Sequence, residues 1–260
     1  MDVFSYLLGK NSSGGGSCYD WEAIGYNEPP EILDYYYNEA KEIYDNWDPT
    51  ITSANSKFES KSIAIFPNVD ISNLTSASNM FRYSTIAEIG SFDLPRLNSG
   101  EGIFYNCTNL MFINDFMPKR TCNLKNAFYY CKNLKKINKF RITNNSNNLY
   151  VITSTTDLVI NELLMNGPDG KQIFSSCTNL DIKKIINENN HTYRNNKFCE
   201  NCTFTNDAMD EILKYFKTLT QQGDNYKILK SLGFSSANCN QAINSPYWQD
   251  LVDLGWTTGY

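Results

Sequence analysis

The sequence predicts an α/β solenoid in which short parallel strands stack with a period of about 23 residues between helical caps. Three observations predict it. One pattern recurs through 79–142: Phe81, Ser84, Ile86 and Ile89, then Phe104, Cys107, Leu110 and Ile113, then Phe128, Cys131, Leu134 and Ile137. The aromatic steps by 23 and then by 24. The chain is also rich in aromatics, with 15 Phe and 17 Tyr in 260 residues, as one ring per unit requires. Finally, helical periodicity is confined to the two ends, where a solenoid must cover its exposed core faces.

In order along the chain, 1–17 reads as an apolar helix and a tether. Val3, Phe4, Leu7 and Leu8 fall on one helical face, and Asn11 to Ser17 is a Gly/Ser run. That helix is either an anchor for another protein or a segment that folds back on its own chain. Residues 18–57 form an N-terminal capping region. Pro29 and Pro30 suit a helix start, Ile32, Tyr35, Tyr36, Ala40, Ile43, Tyr44 and Trp47 share a face, and Asp48-Pro49 stops it. Residues 58–204 are the repeat array. Phe58, Phe81, Phe104, Phe128, Ile152, Phe174 and Phe198 mark about seven units. The pattern weakens after Phe128, where Ile152, Thr155, Leu158 and Leu164 keep the spacing, and returns at Phe174. The clearest strand spans 134–140. Residues 205–260 form a C-terminal helical cap. Thr205 is an N-cap ahead of Met209, Ile212, Leu213, Phe216 and Leu219; 228–234 reads as a last strand; Ser235 and Ser245-Pro246 open two more helices.

Composition limits the chemistry. The net charge of −5 argues against a protein that coats nucleic acid. A single histidine, His191, removes any mechanism built on a histidine pair. Of eight cysteines, Cys107, Cys131 and Cys177 share one repeat slot, where a small apolar side chain fills the core. Cys199 and Cys202 form a lone CxxC, short of a zinc ligand set. No phosphate loop, nucleophile elbow or metalloprotease motif occurs, so the expectation is a non-enzymatic protein with no cofactor and no metal. The first ten residues lack a basic, apolar export signal, and no segment has the apolar length of a membrane span.

The units Phe-x-x-Cys-x-Asn-Leu-x-x-Ile at 104–113 and 128–137, with the connector Val69-Asp70-Ile71-Ser72-Asn73-Leu74-Thr75, resemble BspA-type leucine-rich repeats. The resemblance covers roughly 58–204. It implies a right-handed leucine-rich-repeat solenoid used for binding, usually on bacterial surfaces, where an export signal is expected. The ends, Met1-Asp2-Val3-Phe4-Ser5-Tyr6-Leu7-Leu8-Gly9-Lys10 and Leu254-Gly255-Trp256-Thr257-Thr258-Gly259-Tyr260, resemble those of leucine-rich-repeat proteins from phages and prophages of gut bacteria. A virion protein is released by lysis and needs no export signal. The resemblance therefore implies a virion-associated structural protein, with a bacterial surface or secreted adhesin as the alternative.

Charge is segregated along the chain. Residues 18–60 hold ten acids against Lys41 and Lys57, and 116–156 hold eight bases and no acid. The third clear unit carries most of them. Its Lys125, Tyr129, Tyr130, Lys132, Lys135, Lys136, Lys139 and Arg141 form the candidate binding face, suited to an acidic protein surface or an anionic glycan. The same bases read equally as a solvated face. The expected partners are other virion proteins through Val3, Phe4, Leu7 and Leu8, and a host protein or glycan through the repeats, with no nucleic acid and no membrane insertion.

Overall fold

The units close into turns of a coil because, in the described residues, the backbone enters the left-handed region two residues before and two after the aromatic slot. The first position is held by Ser56, Asn79, Gly102, Asn126 and Tyr150, the second by Ser60, Tyr83, Asn106, Tyr130, Ser154, Ser176 and Asn201, all at φ between 52° and 62°. Gly102 is also required by space, since a Cβ there would meet Asn79 Oδ1 at 2.5 Å. The computed structural model describes residues 30–143, 145, 147–165, 173–188, 198–219 and 227–259, with side chains from Asn38 onward. The expected anchor residues Val3, Phe4, Leu7 and Leu8, the tether, His191 and the turn at 167–170 lie outside the described residues.

The chain is a parallel-strand repeat solenoid. Strands β1 (Ile65–Phe66), β2 (Glu88–Leu94), β3 (Phe112–Pro118), β4 (Lys136–Ile142), β6 (Val159–Met165) and β8 (Asp181–Ile182) pair in that order, and β9 (Ile185–Asn187) continues the last rung against β6. Partners such as Ile89, Ile113, Ile137, Ile160 and Ile182 lie 22 to 24 residues apart. The aliphatic slot of the weakened unit is therefore Ile160, while the expected Leu164 is only half-buried. A smaller sheet joins β5 (Ile152–Thr153), β7 (Phe174–Ser175) and β10 (Cys199–Glu200) on the aromatic-turn wall. Its register corrects one expectation: Cys199, not Phe198, pairs with Phe174 and takes the aromatic slot. Cys202 then falls three residues on, in the slot of Cys107, Cys131 and Cys177. The CxxC is thus a variant of Phe-x-x-Cys.

The core lies between two walls of rings. Phe58, Phe81, Phe104 and Phe128 stack face to face at 5.4, 5.3 and 5.1 Å. Phe92, Phe116 and Phe140 descend from β2, β3 and β4 on the opposite wall; Phe92 meets the first ladder tilted, and Phe116 and Phe140 meet it edge-on, as Phe116 meets Phe128 at 5.2 Å. Both ladders become aliphatic in the same unit, at Ile152 and Leu163. Ladder thiols also donate to backbone carbonyls one unit back: Cys107 to Phe81 O at 2.8 Å and Cys131 to Phe104 O at 3.0 Å.

Helix α1 (Pro30–Asp45) covers the first strand; Ala40 is fully buried, and Trp47 stacks on Phe58 at 6.5 Å and meets Phe66 edge-on at 5.7 Å. Tyr44, expected on the apolar face, is exposed. At the other end the seventh unit leads into α2 (Asn206–Lys217) instead of a strand. Thr205 Oγ1 caps it by accepting from Ala208 N. The expected strand at 228–234 is instead a 3-10 turn, Leu229–Leu232, with one bridge from Ile228 to Thr257. Ser235 caps α3 (Ser236–Ile243), and α4 (Trp248–Asp253) follows. From α3, Asn238 Nδ2 donates to Cys202 O at 3.0 Å and Gln241 Nε2 to Phe204 O at 3.2 Å. The cap thereby satisfies carbonyls that the last turn would otherwise present to a further strand.

Candidate ligand-binding face

Inward neighbours sort the eight expected site residues between two walls. Phe128 and Phe140 meet across the core at 5.7 Å. Their outward neighbours therefore emerge on opposite sides: Tyr129 and Tyr130 on the aromatic-turn wall, with Lys125 and Lys132 in the same turn, and Lys139 and Arg141 on the sheet wall, with Lys135 and Lys136 at the head of β4. The structure does not bring all eight together.

On the sheet wall, stacking pairs charges that are segregated in sequence. Lys139 lies between Asp115 and Glu162 in register and approaches Glu162 at 3.6 Å. Lys135 lies 3.8 Å from Asp157 and donates to Thr156 O at 2.9 Å. Arg141 grips Glu188 through two bonds of 3.0 Å, and Arg120 approaches the same carboxylate at 3.7 Å. Asn161, Asn138 and Asn114 donate along the stack to Asn138, Asp115 and Ser91. The wall is thus a largely self-satisfied polar network. Of its predicted bases, Lys136 is exposed with no carboxylate partner among the described residues. The exposed pairs contribute little stability, about 0–1 kcal/mol each.

The aromatic-turn wall differs. Tyr105 and Tyr129 stack at 5.0 Å with an interplanar angle of 11°. Tyr83 meets Tyr105 edge-on at 5.7 Å; Tyr130 leans on Tyr129 at 4.9 Å; Tyr150 approaches Tyr129 at 6.3 Å. The Arg82 guanidinium sits 4.8 Å from the Tyr83 ring centre and 5.2 Å from that of Tyr105, and Lys132 Nζ lies 5.8 Å from that of Tyr130. Desolvation in this stack, and the neighbouring tyrosines, push the Tyr129 hydroxyl up from its ordinary value. Lys125 is drawn to Glu101 at 3.4 Å and Arg82 to Glu59 at 3.6 Å.

Three of these tyrosines occupy left-handed positions: Tyr83 at φ 58°, Tyr130 at 62° and Tyr150 at 53°. Most other units place Ser, Asn or Gly there. A bulky side chain costs on the order of 1 kcal/mol in that region. Tyr83 and Tyr130 are nonetheless 45% and 41% exposed, so core burial does not offset the cost. Tyr83, Tyr105, Tyr150 and Arg82 did not stand out in the sequence as site residues. The signal available was that Tyr occupies a slot otherwise held by turn-forming residues.

The thiols do no visible surface chemistry. The seven described cysteines are free and buried. Burial pushes Cys107 and Cys122 up to about 12, and the hydrogen bond with Cys177 together with burial pushes Cys202 up. Among the described residues, no group of three or more His, Cys, Asp or Glu is placed to hold a metal, and no helix is long and apolar enough to cross a membrane. A cleft between α2 and α3 has its polar groups already engaged: Ser245 Oγ donates to Asp210 Oδ1 at 2.6 Å and Gln241 Nε2 to Asn206 Oδ1 at 2.9 Å. No protein-family model matches the chain, and no curated protein and no solved structure matches it.

Proposed function

We propose that the chain is a non-enzymatic binding protein, a virion-associated structural protein of a phage or prophage, which presents its repeat wall to a host or virion partner. The observation that carries the binding reading is the tyrosine ladder: five rings held in mutual contact on an outer wall, two of them exposed at backbone positions that disfavour them. A rigid stack with one turn per rung supplies preorganised contacts and leaves little ordering cost on binding. The virion reading rests on the resemblance of the repeats and both chain ends to phage and prophage repeat proteins.

The test is assembly. The chain is expected to copurify with intact particles, and deleting residues 1–16 is expected to remove it from them while leaving the melting temperature of the solenoid nearly unchanged. Wild-type protein that is absent from particles but present on the surface of the producing bacterium would establish the adhesin alternative. A deletion that unfolds the solenoid would make the first segment a cap.

A further inference from the structure

We infer that the tyrosine wall is a glycan platform, on which Tyr83 and Tyr130 stack against alternate sugars of an extended chain of β-linked pyranoses; this rests on the binding reading above. The repeat supplies its own control. The slot two residues after the aromatic holds Ser60, Asn106, Ser154, Ser176 and Asn201 in five units and tyrosine in only two. Those two units are neighbours but one, so the exposed rings stand two turns apart, about 10 Å at the spacing of stacked strands. In an extended ribbon of β-linked pyranoses every second ring presents the same C–H face, which repeats at this doubled interval. Asn106 lies between the two rings in the same column, where an amide can bond the hydroxyls of the intervening sugar.

The rings are braced for the task. Tyr105 and Tyr129 stack on each other and hold Tyr83 and Tyr130 by edge and tilted contacts. The Tyr130 backbone N–H is fixed by Thr153 Oγ1 at 3.0 Å. Arg82 donates to the Tyr83 hydroxyl at 3.4 Å and packs its guanidinium over the ring at 4.8 Å from its centre, which fixes the ring and places donors beside it for sugar hydroxyls.

Other ligand chemistries fit less well. A protein hot spot buries its aromatics inside a wide dry patch, whereas this ladder runs between polar positions such as Asn106, Asn126 and Ser154. A nucleic acid would place phosphates against Glu59 and Glu101, which already attend Arg82 and Lys125.

The experiment titrates chitohexaose and cellohexaose into the full-length protein, followed by NMR shifts, at low and high salt. At least one is expected to bind saturably with little salt dependence, because stacking on a neutral sugar involves no ion pair. Tyr83→Ser combined with Tyr130→Ser should weaken binding by about tenfold or more, the loss of two ring contacts. Serine is already present in this slot at Ser60, Ser154 and Ser176, so the variant should keep or raise its melting temperature. Binding of neither oligosaccharide by the wild type, or equal binding by the double variant, overturns the inference. Wild-type protein that ignores both sugars yet still binds host envelopes leaves the binding reading standing; protein that binds neither sugars nor envelopes removes both.

Discussion

Phe104 and Cys131 show how differently two fully buried side chains of adjacent units act. Phe104 contacts rings before, after and across from it, at 5.3, 5.1 and 6.1 Å. Cys131 contributes little volume, and the carbonyl that it bonds, Phe104 O, also accepts from Cys107 N at 3.2 Å. Truncating the ring leaves a cavity that a rigid stack cannot close, whereas removing the thiol leaves its carbonyl with one partner. Urea denaturation should therefore show Phe104→Ala losing about 3–5 kcal/mol and Cys131→Ala about 1 kcal/mol. Equal losses would mean that the ladder relaxes around a missing ring. The tyrosines obey another rule at the same scale: their place is set by what they present outward, against the local backbone preference.

At the scale of the element, α1 docks on the first unit with one partly buried carboxylate, Glu39, at the contact. Desolvation raises the pKa of Glu39 above the ordinary value; Glu42 adds to the rise, and the hydrogen bond from the Ala64 backbone opposes it. Because the folded pKa is raised, the folded state holds its proton more tightly than the unfolded chain does. Stability is therefore lost as pH rises through the folded pKa and is recovered below the unfolded value. Docking of α1 should tighten as pH falls through the raised folded pKa of Glu39 toward the ordinary glutamate range. Glu39→Gln should flatten this dependence and add less than about 1 kcal/mol at neutral pH, since Glu39 is partly solvated. Hydrogen exchange of the α1 amides against pH measures both; an unchanged profile in Glu39→Gln would assign the dependence to another group.

For the whole molecule, the caps cover the two ends of the stack. Phe198, Phe216, Phe234 and Trp256 form a ring cluster that closes the last turn, with Phe216 stacked on Trp256 at 5.0 Å. Asn238 and Gln241 occupy its carbonyls. Removing 206–260 would take Phe216, Phe234 and Trp256 away from Phe198 and expose the apolar end of the stack together with the edges of β8, β9 and β10, which are templates for further pairing. Light scattering should then report concentration-dependent association where the full chain stays unassociated. A monodisperse truncated protein would show that the repeats end their own stack.

The sequence by itself determined the period, the aromatic and thiol slots and the helical ends, because a stack multiplies each small local preference by the number of units. Phe81, Phe104 and Phe128 needed no partner outside the pattern to be read. The second ladder, Phe92, Phe116 and Phe140, follows the same period, but its inward direction depends on strand register. Phe198 was misplaced by one residue because two adjacent positions, Phe198 and Cys199, both point inward, and only pairing with Phe174 decides between them. Of the tyrosines on the candidate wall, the sequence singled out Tyr129 and Tyr130 but not Tyr83, Tyr105 or Tyr150, and it could not show how the charges pair. Lys125, Lys135, Lys139 and Arg141 form a basic run in one dimension, yet stacking places Glu101, Asp157, Glu162 and Glu188 beside them. Tertiary structure alone decided which charges are balanced and which rings stay exposed, because both depend on residues a full turn away.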